Sequence, residues 1–219
     1  MDTEIEQYIL DHIDGEGELL SQLNRDTHVN LLRPRMLSGH LQGRILKMIC
    51  RMVSPARILE LGTFTGYSAL CMAEALPENG ELHTIEIDDE LQDFIEKYFS
   101  RSPYGNRIHL HIGDARNIIP TLEDNFDMVF IDADKRLYSE YYDLVFDKIR
   151  PGGFILADNT LWDGKVLQRC TTHRNTAFQR KNCSRYPCRK SNSSVARRFN
   201  ARLQKIIPQL FTPKTHRFK

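Results

Sequence analysis

Apolar residues recur along this chain first at helical spacing and then in short runs. Ile5, Tyr8, Ile9 and Ile13 share one helical face, with Asp2 or Thr3 available as its cap. After Gly15 and Gly17, the stripe Leu19, Leu20, Leu23 predicts a second helix over 18–25, and 30–36, containing Pro34, reads as a connector. Leu41, Ile45, Leu46, Ile49 and Met52 form a third core-facing stripe over 41–52. From residue 57 the pattern changes. Strands are predicted over 57–61, 82–87, 107–112, 127–132 and 153–158, separated by helices over 67–76, 89–100, a short one from Asp114, and 137–149. Strands alternating with helices of this length connect by right-handed crossovers into a parallel sheet. The fold class is therefore α/β: a doubly wound, mostly parallel sheet behind N-terminal helices.

The alternation stops beyond Val166, and there the charge changes sign. None of the 29 acidic residues lies beyond position 163, whereas 14 of the 30 Lys and Arg lie in 169–219. Residues 1–168 thus carry 16 basic and 29 acidic groups, a charge of −13, against +14 for the remainder. This places a domain over 1–168 (helices 1–52, core 53–168) and an atypical basic tail over 169–219. Cys50 and Cys71 fall on predicted helices and read as buried, reduced thiols. No apolar run reaches the roughly 20 residues of a membrane span, and the acidic start is unlike a signal peptide, so a cytoplasmic protein is expected.

Candidate chemistry lies at the strand ends. The first strand runs into Gly62-Thr63-Phe64-Thr65-Gly66, a turn of the kind that lets backbone approach a ligand in an open parallel sheet. It is not G-x-G-x-x-G, and Glu60 sits inside the strand end, so the ligand need not be a pyrophosphate; a packing turn without a ligand is the alternative. Glu86 ends the second strand, placed to accept both hydroxyls of a ribose or else to stand as a solvated charge. Asp114, in Gly113-Asp114-Ala115, could cap the next helix or accept from an adenine amino group. Asp132 ends the fourth strand and Asp158-Asn159 the fifth. Two carboxylates and an amide converging at one sheet edge are hard oxygen ligands that suit Mg²⁺ rather than Zn²⁺. Lys135, three residues on, either balances Asp132 and Asp134 or, beside a cation, takes a proton from a hydroxyl.

With these residues in place the chain resembles the metal-dependent class I methyltransferases that use S-adenosylmethionine, the catechol and caffeoyl-CoA O-methyltransferase family. The resemblance covers about residues 30–167. It rests on 36–43, the Glu60-Leu61-Gly62-x-x-x-Gly66-Tyr67-Ser68 turn, Thr84-Ile85-Glu86-Ile87-Asp88, Gly113-Asp114-Ala115, Phe130-Ile131-Asp132-Ala133-Asp134-Lys135 and Ala157-Asp158-Asn159-Thr160-Leu161-Trp162. It implies a Rossmann-like methyltransferase fold. Met36, Ser38, Glu60, Gly62, Phe64, Ser68, Glu86, Asp114, Ala115 and Asp132 would bind S-adenosylmethionine, with Glu86 on the ribose and Asp114 and Ala115 on the adenine. Asp132, Asp158 and Asn159 would hold the divalent metal: Mg²⁺, with Mn²⁺ or Ca²⁺ as alternatives. Lys135 would be the catalytic base beside Asp132, and Trp162 a substrate wall. The implied acceptor is a catechol-like small molecule, the implied assembly a homodimer.

The tail departs from that family, which continues with a helix and an antiparallel strand pair. Nothing similar follows Gln168, so the final strands are expected to be missing or disrupted, through a frame change near codons 166–170 or a replaced C-terminus. A catalytically impaired remnant is then one alternative. Nucleic-acid binding through the basic tail is another, disfavoured because no recognisable motif accompanies the charge. Zinc held by Cys170, His173, Cys183 and Cys188 is a third, with loose spacing and no apolar anchor. A nicotinamide dehydrogenase is opposed by the missing G-x-G-x-x-G.

Overall fold

A computed structural model describes residues 3–123 and 125–160. Three helices lead the chain: α1 (Thr3–His12), α2 (Glu18–Asn30) and α3 (Gly39–Val53). Then follow β1 (Arg57–Leu61), α4 (Tyr67–Ala73), β2 (Glu81–Glu86), α5 (Gln92–Phe99), β3 (Ile108–Ile112), α6 (Ala115–Ile118), β4 (Phe126–Ile131), α7 (Tyr138–Phe146) and β5 (Ile149–Ala157). The five strands form one parallel sheet in the order β3-β2-β1-β4-β5. The order reverses between β1 and β4. In an open sheet that switch point leaves a crevice beyond the carboxyl ends of the strands.

Each face of the sheet has its own core. Leu20, Leu23, Leu46, Ile49, Tyr67, Leu70, Ile95 and Tyr98 from α2 to α5 pack with Ile58, Leu82, Met128 and Phe130 on one side. Ile119, Tyr138, Tyr141, Tyr142 and Val145 cover Leu59, Leu61, Ile85, Val129 and Ile131 on the other. The interior strand β4 is buried at every position. Asp127 fastens its start to β1: one carboxylate oxygen accepts from the backbone N–H of Ala56 (2.7 Å) and Arg57 (2.8 Å), and Arg150 donates to the other.

The sequence pattern placed the elements well and their ends less so. Helix α4 stops at Ala73, and the tighter bonds Ala75 N–H to Met72 O and Leu76 N–H to Ala73 O finish it before Pro77, which disfavours helix in the residue ahead of it. Strand β5 starts at Ile149, running through Pro151 with a register shift opposite Phe126–Met128. Among the described residues β5 is an edge strand, where proline is tolerated. Helix α2 extends to Asn30. Met52 is 63% exposed: at about 100° per residue the buried face of α3 passes through Leu46, Ile49 and Cys50 and leaves position 52 outside. Ile5 and Tyr8 are also exposed. Cys50 and Cys71 are buried free thiols. No described helix is long and apolar enough to cross a membrane. The expected loss of the final strands, and the tail 169–219, lie outside the described residues.

Candidate active site

The loop after β1 is held in place by β2. Both Gly62 N–H and Thr63 N–H donate to Ile85 O, at 3.0 and 3.2 Å. Gly62 has φ +96°, and a Cβ there would lie 2.3 Å from the carbonyl oxygen of Asp132. Glycine is therefore required twice over, by conformation and by the close passage of the β4 end. Phe64 is left-handed as well (φ 50°), and its N–H donates to Glu86 Oε2 at 2.6 Å. A side-chain-bearing residue with positive φ persists only where its surroundings hold it. Here the holder is Glu86, whose other oxygen accepts from Ile87 N–H (2.9 Å) and Asp88 N–H (3.0 Å). Burial raises the Glu86 pKa, opposed by these backbone bonds.

Glu60 is fully buried and accepts from Ser68 Oγ (2.5 Å) and Thr84 Oγ1 (2.6 Å). Burial pushes its carboxyl up to about 8 despite the two hydroxyls, and Asp132 and Glu86 add to the rise. A buried acid aimed at the turn is costly unless a positive group comes to it. The sulfonium and ammonium groups of S-adenosylmethionine have that charge. Thr65 Oγ1, also in the turn, is buried without a hydrogen-bond partner among the described residues.

Asp114 caps α6 by accepting from Arg116 N–H (2.9 Å), and the Arg116 guanidinium grips both its oxygens. That side-chain bond is the main reason its pKa is lowered. Capping, one of the two roles open from sequence, is therefore in place; Ala115 opens the helix and is buried. Met36 and Ser38 lie on the lead into α3, Met36 half exposed, and no hydrogen bond joins them to the glycine turn among the described residues.

Across the switch point, Asp132 N–H donates to Leu61 O (2.9 Å) and Asp158 N–H to Ile131 O (3.0 Å), so the two acids follow adjacent strand ends in register. Lys135 Nζ lies 2.6 Å from Asp132 Oδ1 and 2.6 Å from Tyr138 Oη. The Tyr138 hydroxyl lies 3.0 Å from both Ile131 O and Asp158 O and donates to one of them. Asn159 is left-handed (φ 50°), turning the chain at this edge. Asp158 Oδ2 accepts a long bond from Gln42 Nε2 (3.4 Å), while its Oδ1 is buried with no partner among the described residues. Burial, then the neighbouring Asp132, pushes the Asp158 carboxyl up to about 6. An orphaned carboxylate oxygen beside a second carboxylate fits a cation: the donor set is all oxygen, as a hard divalent ion requires.

Gln42 and Tyr138 were not among the site residues read from sequence. Gln42 sits in a helix whose apolar stripe hides it, and its partner is 116 positions away. Tyr138 is three residues beyond Lys135, one helical turn, and that spacing could have found it. Trp162 lies outside the described residues.

Comparisons with known proteins identify the family. The O-methyltransferase family model matches residues 11–197, running past the described residues into the basic segment. A catechol O-methyltransferase from Niastella koreensis is 36% identical over 173 residues, 77% of each chain. A caffeoyl-CoA O-methyltransferase from Stellaria longipes is 30% identical, covering 74% of this chain and 70% of its own. Among solved structures, the O-methyltransferase TomG from Streptomyces achromogenes, in complex with S-adenosylmethionine, aligns with TM-score 0.74 at 29% identity, over 84% of this chain and 86% of that one.

Proposed function

The chain belongs to the S-adenosylmethionine-dependent O-methyltransferases of the catechol and caffeoyl-CoA type, and from that premise we propose that it methylates one hydroxyl of a catechol-like small molecule in a reaction that needs a divalent ion. The observation that carries the metal and the acceptor is the partnerless, buried Asp158 Oδ1 next to Asp132 and Lys135. Asp132, Asp158 and Asn159 would hold the ion. When bound, it would supply positive charge that lowers the pKa of a chelating hydroxyl.

The residues of the chain divide the remaining work. Glu86 presents its carboxylate to the ribose edge of the donor, and in doing so fixes Phe64 and the glycine turn. Glu60 faces the positive methionine end. Lys135 takes the hydroxyl proton at Nζ, and Asp132 and Tyr138, each 2.6 Å away, steady the ammonium that results. The rest is positioning, because the donor already carries its leaving group; oriented reactants of this kind gain on the order of 7–11 kcal/mol over free ones. Methyl transfer from S-adenosylmethionine to catechol, with Mg²⁺ and with excess chelator, tests the proposal, phenol serving as the single-hydroxyl control. Turnover of catechol only with Mg²⁺, and little of phenol, is expected. Equal rates in chelator would remove the metal from the account.

A further inference from the structure

The opposite edge of the sheet carries a separate cluster of donors. Glu81 opens β2, and His83 follows it on the same face; His109 lies beside His83 in register on the edge strand β3, with His111 next on that face. Glu81 and the donor-bearing Glu86 are five residues apart, roughly 16 Å along an extended strand. The cluster therefore stands clear of the crevice.

Its geometry has the parts of a metal site. One ligand atom from each of Glu81, His83 and His109 lies within 4.8 Å of the other two. His83 Nε2 is 3.5 Å from Glu81 Oε1, and His109 Nε2 is 3.7 Å from Glu81 Oε2. Bonds of about 2.0–2.1 Å at tetrahedral angles separate their donors by about 3.3 Å, so contraction of a few tenths of an ångström closes these two spacings. His83 Nε2 is buried and has no hydrogen bond among the described residues. On the other side of the ring, His83 Nδ1 and His111 Nε2 are 3.0 Å apart, and one donates to the other. With the proton on His83 Nδ1, its Nε2 lone pair points at Glu81. A ligating histidine is commonly oriented in this way, by donating its second nitrogen to a neighbour. Arg57 does the same for the carboxylate, donating from Nε to Glu81 Oε1 at 2.5 Å. His109 is 46% exposed, which leaves the fourth position open to water.

We propose that Glu81, His83 and His109 form a divalent-metal site of the zinc class at the amino edge of the sheet, distinct from the oxygen site at the carboxyl edge. Two imidazoles and a carboxylate suit Zn²⁺ or its neighbours in the transition series, not Mg²⁺. The ion would join β2 to β3, an edge strand among the described residues; its role is structural, and the chemistry of the crevice does not depend on it.

Zn²⁺ titrated into the full chain in excess Mg²⁺, with competition against a chromogenic chelator, tests this. His109→Ala and His83→Gln should each lose one tight ion per chain, or weaken it at least tenfold, with far-ultraviolet circular dichroism and S-adenosylhomocysteine affinity unchanged. The comparison is between variants, so zinc held elsewhere in the chain cancels. Wild-type stoichiometry and affinity in the His109→Ala protein would overturn the proposal, and its exposed side chain makes that variant safe to fold. Anomalous scattering at the zinc edge from soaked crystals gives a check free of substitutions. A peak between Glu81, His83 and His109 supports the site; peaks only elsewhere overturn it.

Discussion

Replacing Gly62 by alanine strikes the point where the glycine turn after β1 and the end of β4 touch. The residue has φ +96°, and left-handed backbone costs a side-chain-bearing residue about 1–2 kcal/mol. The new Cβ would also lie 2.3 Å from Asp132 O and 2.9 Å from its carbonyl carbon. Since both are backbone atoms, the β4 end must retreat by about 1 Å, against the bond from Asp132 N–H to Leu61 O; overpacking of this kind costs about 1–3 kcal/mol. The sum is about 2–5 kcal/mol. Gly39 is the control: its φ is +75°, but nothing lies within 4 Å of an added Cβ, so Gly39→Ala should show only the conformational cost. Urea unfolding of both variants and the wild type reads the difference as a shift in midpoint at constant slope. If Gly62→Ala is no more destabilising than Gly39→Ala, the close passage of Asp132 is not a constraint on the fold.

Three further outcomes follow from other parts of the structure. Glu86→Ala removes the acceptor for three backbone N–H groups around the turn, and calorimetry should show S-adenosylhomocysteine binding weakened by about tenfold or more, about 1.4 kcal/mol. Lys135→Met should lower methyl transfer by about 10²–10⁴ while leaving S-adenosylhomocysteine affinity within about twofold, as loss of a positioned base does. Burial alone would raise the pKa of Asp127, but the bonds from Arg57, Arg150 and Ala56 outweigh it and hold the group below its ordinary 3.8. A depressed acid contributes stability above its unfolded pKa and loses it as pH falls through the folded value. Denaturation followed from pH 6 to pH 2 should therefore show a shallower loss below about pH 4 in Asp127→Asn than in wild type.

The sheet was legible because its strands are short apolar runs bounded by Gly, Asp and Asn, and because the acids fall at the strand ends: Glu86, Asp132 and Asp158 all sit within a residue of where a strand stops. Residue order along the chain carries that information. What it does not carry is the pairing of distant side chains. Gln42 reaches Asp158 only because α3 packs against Phe130 and Leu156 of β4 and β5, and Glu81, His83, His109 and His111 meet only because β2 and β3 align in one register. Read along the chain, these four look like polar residues alternating through two strands. Asp114 shows the converse: local spacing allowed both a cap and a ligand contact, and local hydrogen bonding supplies the cap. The exposed Ile5, Tyr8 and Met52 show that an apolar stripe marks a helix more reliably than it marks the buried side of that helix.

The proposed reaction turns on a divalent ion held by Asp132, Asp158 and Asn159 beside the donor. Mn²⁺ titrated into protein saturated with S-adenosylhomocysteine, with the free ion counted by electron paramagnetic resonance, tests it most directly. The wild type should take up an ion that Asp158→Ala does not, with S-adenosylhomocysteine bound equally by both. Equal Mn²⁺ uptake by the two proteins, or none by the wild type, would show that these residues hold no ion.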